Sequence, residues 1–526
     1  MDSASILAVP ATSVVRISKS PMRIDELLEI ADGAKVELDA DVVVVVKDSR
    51  AVVDAALASG RAVYGLNMGL GHMKDTRLPN DQIGALQQAM IEGHAGAIGA
   101  PLPARAVRAA MAARINGIAR GGAGASLACV ETYVAMLNAG VHPVVPGFGS
   151  VGASDLSQMA AIAQVAIGGG QADLGDATLP GGEALKRAGI PPLRLQPKDG
   201  LALMSANAIS IATGAIVVAR AKEALEVAGL ASVLSLEAIS GNTSPFDVAV
   251  AKAKGVRGQV EVSDHLRALI RRSRILEDDP SRSVQDALSF RVVPQVHGAA
   301  WELIELARRS VEAELNAMTD NPLVSREERR MISNGNFHPM MVALAFDAVR
   351  PALAHVGQLS DRRLNHLWAA TFEKHTDRPT DANRSVWGSA GDMRGTSLRY
   401  AAAAASAELR QLAGPASLDV APLDLGIEDH ATGAPLSVSR TAIALDRMED
   451  VLAVELLMAR DLVMARDGAS GLGAGGTAIL KLINGALSEL GPPADSARFH
   501  SAVVEAMRTR LLTAMGGAAT RLKWTN

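Results

Sequence analysis

Apolar residues recur at steps of three and four along most of the chain. Leu445, Met448, Leu452, Leu456, Ala459 and Val463 form one stripe, while Arg447, Glu449, Asp450, Glu455 and Arg460 fill the other faces. That spacing predicts a long amphipathic helix with neighbours packed on its apolar side. Similar periods predict helices over 300–318 and 340–365. Leu201–Ala219 carries no charge and is long enough to span a bilayer, but Ser205, Asn207, Ser210, Thr213 and Gly214 interrupt it. It is expected to be a buried core helix, not a membrane span. Val42–Val46 is a β-branched run between Asp41 and Lys47, which predicts a short strand. Glycine- and proline-rich breaks fall near 141–152, 167–200 and 466–476. From about residue 80 onward the helical period dominates, and the strand–helix alternation of a doubly wound sheet is absent. The expected class is mainly α, with a smaller mixed N-terminal part and a central bundle of long helices. The expected division is a loose arm over 1–20, an N-terminal domain over 21–210 and a helical bundle over 211–526.

Composition narrows the function. The 526 residues are 48% hydrophobic and 21% charged, with a net charge of -4. A globular fold follows, without the electrostatic footprint of a nucleic-acid binder and without special membrane attraction. Aromatic residues make up 3%, so the core must be built from Ala, Leu, Val, Ile and 19 Met. Only three tyrosines exist: Tyr64, Tyr133 and Tyr400. Cys129 is the single cysteine, which excludes a disulfide or a cysteine-based zinc site within one chain. It is expected to be a small buried hydrophobe. The opening MDSASILAVPATSVVRISKSP lacks a basic start followed by a long apolar core, so no signal peptide is read and a cytoplasmic setting is expected.

Common catalytic signatures are missing. There is no GxxxxGK[ST] loop and no HExxH, and no metal site is expected. GFGSVG at 147–152 fits GxGxxG, but no strand is predicted before it and no acidic partner follows at the right distance, so dinucleotide binding is not expected. Smaller groupings remain. Tyr64 sits in VYGLNMGLG, His94 in EGHAGAIGAPLP, Arg291 in QDALSFRVVPQVHG and Asn321 in ELNAMTDNPL. Asn336 and His338 sit in SNGNFHP, Glu408 lies in an alanine-rich run, and Glu428, Asp429 and His430 form a cluster. Each alone reads as an ordinary surface or structural residue.

Together, and in this order, these segments resemble the histidine and aromatic amino-acid ammonia-lyases over nearly the whole chain. The resemblance implies a fumarase/aspartase-like helical bundle, a homotetramer whose active sites are shared between subunits, and elimination of an amine and a β-hydrogen to give an arylacrylate. It also implies roles. Tyr64 matches the catalytic base for the β-proton, and its phenol would need a lowered pKa. Glu408 matches a catalytic glutamate near the substrate's amine and ring. Arg291 matches the arginine that clamps the carboxylate, Asn321 an asparagine beside it, and His94 the selectivity histidine of histidine-specific members. Gly93 replaces a serine there, leaving room for a larger ring substituent.

The resemblance breaks at one place. The family forms a methylidene-imidazolone electrophile from Ala-Ser-Gly, with the glycine nitrogen attacking the alanine carbonyl. Here Ala153-Ser154 is followed by Asp155, and the glycine is deleted. Ser205 stands where the family has a supporting asparagine, and Leu288 where it has a tyrosine. The prosthetic group is therefore expected to be absent, with Ser154 or Asp155 capping the next helix. Ammonia is a poor leaving group, whereas a trimethylammonium leaves as a neutral amine. One family member without the group releases trimethylamine from ergothioneine, and that chemistry is the expectation here. The alternatives are an ammonia-lyase with an electrophile from Ala153-Ser154-Asp155 and a silent binding homologue. Lys374 and Arg394, in a charged segment over 371–394, and Arg399 are further candidate contacts.

Overall fold

In the computed structural model, which describes residues 13–79, 82–277, 283–372, 395–466, 470–490, 495–514 and 521–524, the valine run 42–46 is helical. The chain runs β1 (Val14–Ile17), α1 (Ile24–Ala31), β2 (Lys35–Leu38), α2 (Ala40–Ala58), α3 (Ile83–His94), β3 (Ile98–Pro101), α4 (Ala104–Ala119) and α5 (Leu127–Ala139). Then follow β4 (Val141–Pro143), β5 (Pro146–Phe148), α6 (Leu156–Ala166), β6 (Gln171–Leu174), β7 (Ala177–Pro180), α7 (Gly181–Arg187), α8 (Asp199–Met204) and α9 (Ala208–Ile239). The remainder is α10 (Val248–Lys254), α11 (Arg257–Leu269), α12 (Leu288–Arg291), α13 (Val293–Leu315), β8 (Leu323–Ser325), β9 (Arg330–Ile332), α14 (Met340–Phe372), α15 (Arg399–Leu412), α16 (Ala434–Arg466), α17 (Ala474–Ser488) and α18 (Ser496–Ala514). The mainly α expectation holds, and the long helices over 300–318, 340–365 and 445–463 lie within or largely within α13, α14 and α16.

Two compact units share these elements. The first takes in Met1–Val217, Arg308–Leu344 and Ala416–Ser439; the second takes in Val218–Ala307, Ala345–Pro415 and Arg440–Asn526.

The first unit corrects three local expectations. Val42, Val45, Val46, Ser49, Val52 and Val53 are buried at helical spacing on α2 while Val44 is 65% exposed. A one-sided apolar stripe outweighs the β-propensity of single valines. Asp41 in the first turn also favours the positive end of the helix dipole. Val14–Ile17, expected in the loose arm, pairs in parallel with β2, because Val15 and Ile17 bury alternate side chains. A three-residue strand, β5, does lead into GFGSVG. It pairs antiparallel with β3 and not within a parallel crossover unit, so it makes no dinucleotide fold.

The apolar stretch 201–219 is buried as expected, but it is two helices. α8 ends at Met204 and α9 begins at Ala208, with Ser205, Ala206 and Asn207 between them. Asp199–Ile239 and Met340–Thr371 are long and apolar enough to cross a membrane, yet 89% and 56% of their apolar windows are buried in protein.

In the second unit the bundle is crossed by a buried ion pair. Arg363 on α14 donates from Nε and Nη2 to Glu455 on α16 at 2.6 and 2.9 Å, and Ser235 on α9 donates to the same carboxylate at 2.6 Å. Both charged side chains are fully buried.

Candidate active site

Tyr64 lies on a turn held from inside. Val52, Val53, Leu66 and Val324 form a buried cluster against which Val63 and Met331 pack, so both sides of the tyrosine are anchored in the core. Asn67 folds the turn: Val63 N–H donates to its Oδ1 at 2.8 Å, and its Nδ2 donates to Arg61 O at 2.7 Å. Gly65 adopts φ 64°, and a side chain there would collide with Leu201. The phenol oxygen accepts the Gly71 N–H at 3.2 Å.

The charge around Tyr64 is the reverse of the expectation. Burial raises its pKa first; the Gly71 amide lowers it, and Glu428 and Asp424 raise it further. Glu428 is itself raised, by burial and by Asp424, with His94 opposing. His94 ends α3. Its Nδ1 lies 2.7 Å from Met90 O. A carbonyl only accepts, so Nδ1 carries a hydrogen and Nε2 keeps the lone pair of the neutral ring. Tyr64, Glu428 and His94 are thus linked electrostatically; the sequence singled out Glu428 only as part of a cluster with Asp429 and His430 and gave it no role at the site.

Ala153, Ser154 and Asp155 are 8%, 6% and 0% exposed. Ser154 takes φ 64°, and its N–H donates to Phe337 O at 3.3 Å. The Asp155 N–H donates to Ala206 O at 2.8 Å. Its carboxylate accepts from Ser150 Oγ at 2.6 Å, from Ser210 N–H at 2.8 Å and from Ser210 Oγ at 2.9 Å. This corrects the capping expectation. Asp155 occupies the N-cap position of α6, but its side chain does not cap that helix. It caps α9 instead, because the break at Ser205–Asn207 brings that helix's free amides to the carboxylate. Burial raises the Asp155 pKa, against the lowering effect of Ser150, Ser210 and Ile209. Thr432 closes the loop from the other side, donating from Oγ1 to Gly152 O at 2.8 Å.

Ser205 is buried at the C-cap of α8. Asn207, two residues on, is 3% exposed, and neither atom of its amide head has a hydrogen-bond partner among the described residues. Asn321 Oδ1 accepts the Asn334 N–H at 3.0 Å, which leaves its amide nitrogen available. Nearby, Arg114 and Asp320 form a buried ion pair at 2.7 Å. His338 Nε2 meets His430 Nδ1 at 2.8 Å. Cys129 is buried, and burial pushes its thiol well up, as suits a packing residue.

Arg291 and Glu408 belong to the second unit. Arg291 ends α12, and its guanidinium has no partner among the described residues. The helix is fastened by Arg363, whose Nη1 donates to Ser289 O at 3.0 Å. Leu288, in place of the family's tyrosine, is 61% exposed. Glu408 has a side chain 55% exposed and lies 3.8 Å from Arg447 Nε. Arg399 is held by Asp361 at 2.9 Å and by Asn365 at 2.8 Å. Lys374 and Arg394 lie outside the described residues. Among the described residues no cluster of three or more His, Cys, Asp or Glu could hold a metal.

Known proteins resemble this chain in sequence and in fold. A profile of the aromatic amino acid lyases matches residues 22–484. The histidine ammonia-lyase of Anaeromyxobacter dehalogenans is 39% identical over 425 residues, covering 79% of this chain and 82% of that protein. The histidine ammonia-lyase of Gloeobacter violaceus is 35% identical over 505 residues, covering 95% and 97%. Among solved structures, the ergothioneine-degrading enzyme ergothionase of Treponema denticola, in complex with desmethyl-ergothioneine sulfonic acid, superposes with a TM-score of 0.87 at 26% identity, covering 95% of this chain and 100% of that one. The histidine ammonia-lyase of Trypanosoma cruzi superposes at 0.83 with 26% identity, covering 95% of each chain.

Proposed function

The chain belongs to the aromatic amino acid lyase family and is a carbon–nitrogen lyase, and from that premise we propose that it removes trimethylamine from ergothioneine or a related histidine betaine without a methylidene-imidazolone group. The observation that carries this reading is Asp155. Cyclisation would need its nitrogen to attack the Ala153 carbonyl, but that N–H is engaged with Ala206 O and the side chain is tied to Ser150 and Ser210. Ala153-Ser154-Asp155 does not fit the group, and no step of the reaction is routed through it.

In the proposed reaction the Tyr64 phenolate takes the β-proton. The C–H electron pair becomes the new double bond, and the Cα–N bond breaks with its pair on trimethylamine. The product is the imidazolyl-acrylate, a thiourocanate when the substrate is ergothioneine. Arg291 supplies a planar fork for the carboxylate, and the free amide nitrogen of Asn321 supplies a further donor. A thione ring offers N–H donors, which match the lone pair on His94 Nε2. By its resemblance to the family's glutamate, Glu408 is assigned to the substrate's amine and ring. The two carboxylates near Tyr64 favour a permanent cation. A quaternary ammonium keeps that positive charge at any pH until the Cα–N bond breaks. A homotetramer with shared sites belongs to the same proposal, and the exposed Leu418, Leu423, Leu425 and Ile427 on one short segment support it as apolar side chains that a second copy would cover.

A second reading is favoured by the 39% identity to a protein named histidine ammonia-lyase: ammonia release from histidine, with an electrophile made from Ala153-Ser154-Asp155. Amine analysis separates the two. Incubation with ergothioneine, hercynine and histidine is expected to release trimethylamine from a betaine. Ammonia from histidine, with no amine from either betaine, would establish the second reading.

A further inference from the structure

The turn after Tyr64 is held by a residue 352 positions away in sequence. Asp424 Oδ2 accepts the His72 N–H at 2.9 Å, and its Oδ1 meets His72 Nδ1 at 2.5 Å. One residue before His72, the Gly71 N–H points at the Tyr64 oxygen. The chain tolerates unusual backbone to make this contact. Asp424 and Leu425 adopt φ 49° and 55°, a region that side chains ordinarily avoid. Gly71 adopts φ 54°, and any side chain there would overlap the Asp424 carboxylate. Leu423 and Glu428 close the same loop through a β-bridge, which brings Glu428 to the tyrosine's side.

We propose that Asp424 is a positioning residue for Tyr64: through His72 it fixes the 70–73 turn so that the Gly71 amide meets the phenol oxygen, and with Glu428 it surrounds that oxygen with negative charge suited to a cationic substrate. This deepens the proposed function and rests on its reading of Tyr64 as the base. The two effects oppose each other on the free enzyme. The amide stabilises a phenolate, while the carboxylates disfavour it. A trimethylammonium entering beside them supplies the missing positive charge. Other charged groups on the packed segments are already engaged. His72 faces Asp424, and His94 acts on Glu428. Lys74 pairs with Asp75, and Arg77 donates to Gly60 O.

Phenol titration tests this without any turnover, so it stands apart from the betaine assay. The chain has three tyrosines. Tyr133 is fully buried, with its pKa driven far up, and Tyr400 is 80% exposed. In the full-length Tyr400→Phe background, ultraviolet difference titration therefore reports Tyr64, and Tyr64→Phe confirms the assignment by abolishing the transition. Asp424→Asn keeps an acceptor for the His72 N–H and removes the charge; its Tyr64 transition is expected at lower pH than the parent's. Glu428→Gln is expected to shift it the same way. His72→Ala removes the side-chain contact that ties the 70–73 turn to Asp424 and loosens that turn, so the Gly71 amide meets the phenol oxygen less well, and it is expected to move the transition to higher pH. The acidic limb of kcat/KM, on whichever substrate is turned over, should follow the same order. A Tyr64 transition unmoved in both Asp424→Asn and Glu428→Gln, with folding intact by near-ultraviolet circular dichroism, would overturn the proposal.

Discussion

Asp155 is where the loop's stability and its chemistry meet, and removing its side chain should be costly. The carboxylate is fully buried and accepts three hydrogen bonds, one from the α9 amide of Ser210 and two from the hydroxyls of Ser150 and Ser210. Asp155→Ala removes a helix cap, typically about 1 kcal/mol. It also strands buried donors, at roughly 1–3 kcal/mol. The net loss is expected to be about 3 kcal/mol, after discounting the cost of burying the carboxylate in the parent. Asp155→Asn keeps the acceptor for Ser210 and should lose about 1 kcal/mol. The pH dependence follows from the direction of the pKa. Burial raises it in the folded protein, so the neutral acid is favoured by folding. That contribution is present in full below the unfolded carboxylate pKa and is lost as pH rises through the higher folded value. The stability gap between parent and Asp155→Asn should therefore narrow from acid toward neutral pH. Equilibrium urea unfolding at pH 4 and pH 7 measures both effects. An Asp155→Ala protein within about 0.5 kcal/mol of the parent, or a gap that widens with pH, would refute the role given to this carboxylate.

Three further outcomes follow from the site. Tyr64→Phe should lower kcat by about 100- to 10,000-fold, the usual worth of a positioned base, with binding of a substrate analogue retained by calorimetry. Arg291→Lys should raise KM more than it lowers kcat, because a point charge replaces a planar fork, as steady-state kinetics would show. Glu455→Gln should destabilise the protein by roughly 3–5 kcal/mol by leaving Arg363 buried and unpaired; urea unfolding measures this, and the loosening of α12 should appear as a higher KM.

The long helices were legible because apolar residues recur at helical spacing over many turns. In α16 Leu445, Met448, Leu452 and Leu456 are all buried as that spacing predicts, but Val451–Ala459 is buried on every face, Glu455 included, so the polar faces expected there are interior. The valines of α2 misled because five β-branched residues in a row suggest a strand, and only Ser49, Val52 and Val53 further along reveal the helical spacing. The break at Ser205–Asn207 was signalled by its polar residues, but uncharged neighbours on both sides hid it. Tyr64, His94, Glu428 and the Ala153–Asp155 loop were visible as local motifs, and the fold gathers the segments that carry them into one unit. Asp424 and His72 were not visible. Their pairing depends on chain closure across 352 residues, and each lies in an unremarkable turn. The acidity of Tyr64 was misjudged because its burial cannot be read from a glycine-rich turn, and because the two carboxylates that raise its pKa further come from a distant loop.

Intact mass of purified, catalytically active protein tests the central claim most directly. Catalysis without a methylidene-imidazolone group predicts the mass of the unmodified sequence, and unchanged activity on the betaine after Ser154→Ala. A parent mass lower by two waters, restored by Ser154→Ala together with loss of activity, would contradict it.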